Sequence, residues 1–207
     1  MSLEFRPCTR DDSAVAIPLM FSAGPEAFRY VFSVEYQDQA FDFLHHAFLR
    51  GGGEFGYRGH LLAEEDGKPV ALVGVWHPKE NMTYTLDAVK QIFAYYGPAK
   101  GLIVVIRGLR FEKIVSPPRK GTLCLHNLGV ARELRGKGIG GKVIDHFFEL
   151  ARKRGVDTIS LDVAETNPRA KALYERMGFS VVRHNSGGQK NQYGSAVSHD
   201  YMEARVF

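Results

Sequence analysis

The chain has 207 residues and a mass of 23.1 kDa, which suits a single domain, 1–207, with a substantial core. Hydrophobic residues at 44% and charged residues at 24% are ordinary for a soluble globular protein. The charge of +4 is mild, no nucleic-acid motif accompanies it, and no apolar run approaches a membrane span, so neither nucleic acid nor a membrane is expected as a partner. No signal peptide is expected before the first predicted strand, and Cys8 and Cys124 have neither pairing nor metal spacing. A reducing cytoplasm is the expected location.

In chain order, Leu3–Pro7 reads as a strand and Asp11 through Leu49 as helical segments, ended by Gly51-Gly52-Gly53. His60–Glu65 and Val70–Trp76 read as two strands joined by Asp66-Gly67-Lys68-Pro69, with Asp-Gly turn chemistry. An insert follows, about 78–121, with two predicted helices, Leu86–Tyr96 and Gly101–Lys113, and Pro117-Pro118 at its end. Its apolar residues exceed what an exposed loop should carry, so it is expected to cover an acceptor pocket, with some part in a dimer contact. A monomer and a homodimer are both open.

From Thr122 the order is strand (Thr122–Val130), glycine-rich turn, helix (roughly Lys142–Arg154), strand (Thr158–Val163), helix (Pro168–Met177) and strand (Phe179–Arg183). The loop Asn185–Ser198 leads to a last strand, Tyr201–Phe207. The expected class is therefore α/β (α+β). Val143, Ile144, Phe147, Phe148 and Ala151 share one face of the helix after the turn and should pack on the sheet. Asn167 is placed as N-cap and Pro168 as first helical residue of the next helix, with Gly178 after its end.

The turn itself, Arg135–Gly141, reads RGKGIGG. At a strand-to-helix junction such a turn presents backbone N–H groups and the positive end of a helix dipole, which suits a phosphate or pyrophosphate. Arg132, Arg135, Lys137 and Lys142 add charge of the same sign. Gly136, Gly141 and Lys142 fit most of a Walker A loop, but Val143 has no hydroxyl for Mg²⁺. Gly136, Gly138 and Gly141 fit G-x-G-x-x-G, with Asp162 near the place of a ribose-binding acid. Only about 60 residues follow, too few for the remaining strands of a doubly wound dinucleotide domain.

A third pattern, R-x-x-G-x-G, is met by Arg135, Gly138 and Gly140. With the surrounding Leu125–Gly155 and a second segment, NPRAKALYERMGF from Asn167 to Phe179, the chain resembles the GNAT superfamily of N-acetyltransferases. The resemblance spans about 60 residues in two correctly separated parts, and neither rival motif accounts for the second.

The resemblance implies a mixed, strongly twisted central sheet flanked by helices, with the helical insert lying before the cofactor-binding strand and the cofactor core at about 122–183. It implies acetyl-CoA as co-substrate and a primary amine of a small molecule or peptide as acceptor, acetylated directly in a ternary complex. Backbone amides of Arg135, Gly136, Lys137, Gly138, Ile139 and Gly140 would cradle the pyrophosphate. Leu128, Gly129 and Val130 would pair with the pantetheine arm and offer an N–H to the thioester oxygen. Asn167 would hydrogen-bond that arm, and Tyr174 would protonate the departing thiolate, unless it is simply a core aromatic. His126 matches a place where some members carry a general base; a satisfied strand histidine is the other reading. The remaining histidines show no ligand spacing, so no metal is expected. Two alternatives are an acyl-CoA-binding sensor without turnover and, more distantly, a nicotinamide-dependent oxidoreductase.

Overall fold

A computed structural model describes residues 3–207. Its centre is a seven-stranded sheet built from β1 (Glu4–Pro7), β2 (His60–Glu65), β3 (Lys68–Trp76), β4 (Thr122–Val130), β5 (Thr158–Ala164), β6 (Ser180–Asn185) and β9 (His199–Arg205). The spatial order is β1-β2-β3-β4-β5-β9-β6. A separate two-stranded ribbon, β7 (Gln189–Lys190) with β8 (Ser195–Ala196), lies within the loop before β9.

Of the paired strands in the large sheet, β4 and β5 alone run parallel; the other pairs are antiparallel. A doubly wound dinucleotide domain requires a mostly parallel sheet. The topology rules that architecture out and matches the mixed sheet expected from the sequence.

Helices cover both faces. On one side α1 (Ser13–Ser22), α2 (Pro25–Phe32), α3 (Gln39–Arg50) and α4 (Asn81–Phe111) enclose a core that includes Ile17, Met20, Phe43, Leu44 and Phe48. On the other, α5 (Ile139–Lys153) and α6 (Pro168–Arg176) pack over a core that includes Leu123, Val143, Ile144, Phe147 and Ile159. The apolar face expected of the helix after the turn is the one that α5 buries, with Val143, Ile144, Phe147 and Ala151 all inaccessible.

Several boundaries differ from the sequence reading. The hairpin turn between β2 and β3 is only Asp66-Gly67, both at positive φ (50° and 72°), so β3 begins at Lys68. Such a pair of left-handed residues follows the right-handed strand twist, and Pro69 fits inside β3 opposite the irregularity at Ala63/Glu64. Helix α5 starts at Ile139, three residues before the expected Lys142, because the dipeptide Gly140-Gly141 is helical despite its poor propensity. Gly140 permits close helix contact: a Cβ there would lie 3.0 Å from Leu173 Cδ2 on α6.

The two helices expected in the insert form one element, α4, bent at Gly97 (φ 70°, ψ 179°) immediately before Pro98. The preceding-residue restriction of proline and the freedom of glycine place the bend there. Contrary to the sequence expectation, Pro78–Phe111 is long and apolar enough, by length and composition, to cross a membrane. The bend interrupts it, and Ile92, Tyr96 and Val104 are buried in the core shared with α2 and α3. Tyr96 donates its hydroxyl proton to the Phe32 carbonyl, and Arg107 donates to the Ser33 carbonyl at 2.7 Å. The insert is therefore a structural wall of the domain, and a short linker could not replace it without opening that core. The opposite side of α4 leaves Met82, Leu86, Leu102 and Leu109 exposed.

Candidate acyl-transfer site

Strands β4 and β5 pair only over Thr122–Cys124 and Thr158–Ser160. Beyond Cys124 the two strands part, so the β5-facing backbone edge of Leu125–Val130 has no strand partner. Within the same stretch β4 carries a bulge. Pairing with β3 jumps from Gly74↔His126 to Leu72↔Gly129, and Asn127 sits at φ 51°. Alternation before the bulge directs Leu123 and Leu125 into the core under α5; after it, Leu128 and Val130 pack against that same core. The bulge thus keeps one face apolar while turning backbone groups toward the gap. Gly129 has a separate reason to be glycine, since a Cβ there would lie 2.0 Å from the Leu19 carbonyl of α1.

The gap ends at the glycine turn. Gly136 and Gly138 stand at φ 79° and 85°, and nothing lies within 4 Å of where a Cβ would project from either. Gly138 is the residue before α5, and no side chain caps that helix. Helix geometry leaves its first N–H groups without acceptors, here those of Ile139, Gly140 and Gly141. The Ile139 side chain is buried in the core, anchoring the turn from below. Arg135 donates Nε–H to the Val130 carbonyl at 3.0 Å, which fixes the turn to the end of β4, while Lys137 is exposed beside it. An open cradle of unpaired N–H groups at a helix N-terminus, reached by a strand edge without a partner, fits a pyrophosphate with an extended arm.

Asn167 caps α6, accepting from the Ala170 N–H at 3.2 Å through Oδ1. Its amide Nδ2 has no partner among the described residues, so the cap and a donor role are compatible. Tyr174, on α6, is buried with its ring 5.9 Å from that of Phe179. Burial pushes its phenol up to about 12, so the group is protonated throughout the neutral range.

His126 lies on the other face of the sheet, as do Cys124 on β4 and Trp76 on β3. Its ring occupies the space above Gly74, where a Cβ would fall 2.3 Å from His126 Nε2. The rings of His60 and Trp76 flank it at 5.3 and 5.7 Å. Both His126 ring nitrogens are buried without a hydrogen-bond partner. Burial, with His60 beside it, holds its pKa well below the usual histidine range. His60 itself is pushed down to about 4, chiefly by burial.

These two histidines give a pH prediction. A histidine whose folded pKa lies below its unfolded value binds fewer protons when folded, so stability rises with pH across that interval. Thermal stability is expected to fall as pH drops from about 6.5 toward 4, the window between ordinary and folded His60. His126→Gln should reduce that acid-side loss and leave the kcat/KM profile unchanged around pH 6.5, where the sequence alone placed a histidine limb. A limb near pH 6.5 that disappears in the Gln variant would restore His126 as a general base.

Both cysteines are free and buried. Burial raises the Cys8 thiol to about 12 and the Cys124 thiol further, so neither is poised as an acyl carrier.

Sequence reasoning passed over several groups on this face. Asp162, considered only as a ribose ligand, has Oδ1 buried without a partner, and burial raises its carboxyl to about 7. Glu54, which the sequence reading did not single out, has its carboxyl raised to about 8 by burial. A lone acid among Gly51, Gly52, Gly53 and Gly56 was the available signal.

A strand pair that opens toward a cradle of unpaired N–H groups at a helix N-terminus is a mixed α/β arrangement suited to a phosphate-bearing co-substrate. The Acetyltransferase (GNAT) family model matches residues 20–179, and the chain belongs to that family. It is 38% identical over 78 residues to the 5-NmdU N-acetyltransferase of Pseudomonas phage PaMx11, covering 38% of this chain and 51% of that protein. It is 36% identical over 63 residues to the [ribosomal protein bS18]-alanine N-acetyltransferase of Escherichia coli (strain K12), covering 30% and 43%. The chain spans about half the length, or less, of these curated relatives. A solved acetyltransferase structure superposes with a TM-score of 0.69 at 21% identity over 99% of this chain and 100% of the other. An N-acetyltransferase from Staphylococcus aureus Mu50 gives 0.67 at 16% identity, covering 97% and 100%. At such identities these two report the fold.

Proposed function

We propose that this protein transfers an acetyl group from acetyl-CoA directly to a primary amine of a small molecule or peptide. The observation that carries the reading is the continuous run from the open β4 edge, Leu128–Val130, to the uncapped start of α5 at Ile139–Gly141; within the turn, the Arg135 and Lys137 N–H groups expected in the cradle donate instead to the Arg132 and Leu134 carbonyls. The family uses acetyl-CoA as co-substrate, and this run supplies an N–H edge for an extended arm and N–H groups for two phosphates. Asn167 Nδ2 adds a side-chain donor. The thioester supplies the activated acyl carbon; the remaining work falls to the protein.

That work has three parts. A backbone N–H of Leu128–Val130 polarises the carbonyl where negative charge develops. Tyr174, neutral at rest, provides a proton for the leaving sulfur. His126, an unprotonated imidazole with free ring nitrogens, offers an acceptor that orients the amine or a water. Direct transfer follows from the two buried, protonated thiols, which also suit a reducing compartment such as the cytoplasm. The relatives' names, which include a mycothiol acetyltransferase as well as the two above, span unlike amines and leave the acceptor open within that class.

A thiol-release assay with acetyl-CoA and a panel of primary amines tests the reading. Amine-dependent release of CoA, with formation of the N-acetyl product, is the expected result. Stabilisation by NADH and none by CoA in a thermal shift would overturn it.

A further inference from the structure

Strands β4 and β5 part like the prongs of a fork, and on the sheet face away from α5 each prong carries a polar group without a partner. Cys124 and Ser160 are the last Cα pair that joins the two strands. The strands are parallel, so the next residues to project from that face are His126 on β4 and Asp162 on β5. The placement is fixed from both sides. Ile159, Leu161 and Val163 of β5 lie in the core under α5, as do Leu123 and Leu125 of β4. On the opposite face Ser160 Oγ meets Thr122 Oγ1 at 3.4 Å, and the bulge in β4 begins only beyond His126. Asp162 Oδ1 is buried without a hydrogen bond, and so are both ring nitrogens of His126.

Among the described residues no cation is paired with the Asp162 carboxylate. From β9 it faces Tyr201, its Cα partner, whose hydroxyl donates to Glu203 at 2.8 Å. Glu203 in turn pairs with Arg119 at 3.2 Å, and Arg119 lies over the Tyr201 ring. From β6 Arg183 attracts the carboxylate at a distance, but its guanidinium is held 5.5 Å over the Tyr201 ring and donates to Ser116 Oγ at 3.4 Å. From β4 come the protonated Cys124 thiol, on which the carboxylate bears, and the uncharged His126 imidazole. His199 of β9 is turned to the Val197 carbonyl and the Phe111 ring. A buried carboxylate oxygen and an imidazole acceptor, unmatched on the two prongs, call for a ligand between them that donates hydrogen bonds and carries positive charge. On the acetyl-transfer reading the thioester arm follows Leu128–Val130 toward this fork, which puts such a ligand at the acyl end.

We propose that Asp162 and His126 seat the acceptor's ammonium group at the fork between β4 and β5, and that Asp162 takes its proton. The inference rests on the acetyl-transfer reading above and adds a residue to it. Asp162 takes one proton from R–NH₃⁺ and passes it to solvent, while His126 accepts a hydrogen bond that orients the nitrogen. The freed lone pair forms the C–N bond to the acyl carbon. On collapse the C–S bond breaks, the nitrogen's second surplus proton leaves by Asp162, and the sulfur takes a proton from Tyr174, which solvent restores. One proton is released overall. Burial raises the Asp162 carboxyl to about 7, so it is basic enough for this role near neutrality, whereas an ordinary aspartate is not.

The test compares two small amines of similar shape: ethylamine, an ammonium ion at neutral pH, and 2,2,2-trifluoroethylamine, largely neutral there. In Asp162→Asn, kcat/KM for ethylamine should fall about 10²-fold or more, while the loss for trifluoroethylamine should stay within about 5-fold. For ethylamine the wild-type kcat/KM should rise through about pH 7 to a plateau. In the Asn variant it should keep rising with the free amine, and His126→Gln should keep the plateau. Independently of turnover, ¹³C NMR of the wild type with CoA should show one aspartate carboxyl titrating near pH 7 that is missing from Asp162→Asn. Saturating ethylamine should move that titration to lower pH, and trifluoroethylamine should leave it in place. CoA thermal shifts should match in all three proteins, which separates this proposal from the cofactor assignment. Equal losses on both probes, or a titration that ethylamine does not move, would overturn Asp162 as the seat. A titration that moves without release of CoA thiol from acetyl-CoA would leave a cation seat and overturn the transferase reading, and the proton step with it.

Discussion

Gly138→Val is expected to abolish the thermal stabilisation that CoA confers on the wild type. A ligand at about 100 times its Kd stabilises the folded state by roughly 2.7 kcal/mol, and the variant should lose nearly all of it. Two effects act together at this position. The backbone stands at φ 85°, where a β-branched residue is strained, and the space in front of it is open, so a valine side chain would project where a phosphate must approach. Strain of roughly 1–2 kcal/mol also lowers the stability of the free protein, and this must be separated from lost binding. Gly155→Val is the matched control. It stands at φ 63° after α5, equally open and far from the cradle, so it carries similar strain with no ligand to block. The control should melt lower and still respond to CoA. A Gly138→Val protein that responds like the control would remove the turn from the binding site.

The cradle was legible because its signal is local. A glycine-rich turn between a run of strand residues and an amphipathic helix determines its own backbone, and β4 occupies Thr122–Val130 as its pattern indicated. The second segment was equally readable, since Asn167, Pro168 and Gly178 are start and stop signals that work within one helix. The bulge at Asn127 was not legible. Its consequence, that Leu128 and Val130 share a face with Leu123 and Leu125, appears only once β3 is laid against β4. The bend in α4 was half visible: Gly97-Pro98 separates two helical patterns, yet the chain resumes its helix at once because both halves bury residues against α2 and α3.

The sheet face that bears His126 was hardest to read because burial decides its chemistry. Nothing in the letters around Glu54, Asp162 or His126 says that the first two are raised to about 8 and 7 and the third lowered. Those shifts come from elements distant in sequence: α4 packs against the loop at Gly52 and Gly53, and the sheet brings Cys124, Asp162 and Trp76 to one face. An unperturbed imidazole is the sequence's default, and desolvation lowers the pKa of His126.

Tyr174→Phe is expected to lower kcat by about 10²–10⁴-fold, the usual range for a general acid, while leaving CoA affinity nearly unchanged. The asymmetry follows from timing, since the proton is needed only as the C–S bond breaks. Stability should change little. The hydroxyl makes no hydrogen bond among the described residues, so its removal orphans no partner, and the ring keeps its packing against Phe179. The pH profile gives a further check with a definite sign. An acid must be protonated to act, so activity falls only above its pKa, here about 12 because of burial. The wild type should therefore show no descending limb up to about pH 10. A limb descending between pH 8 and 10 that is lost in the Phe variant would keep Tyr174 as the acid but contradict its burial-raised pKa. Wild-type turnover in the variant would leave Tyr174 as a core residue beside Phe179, and the thiolate would have to take its proton from water.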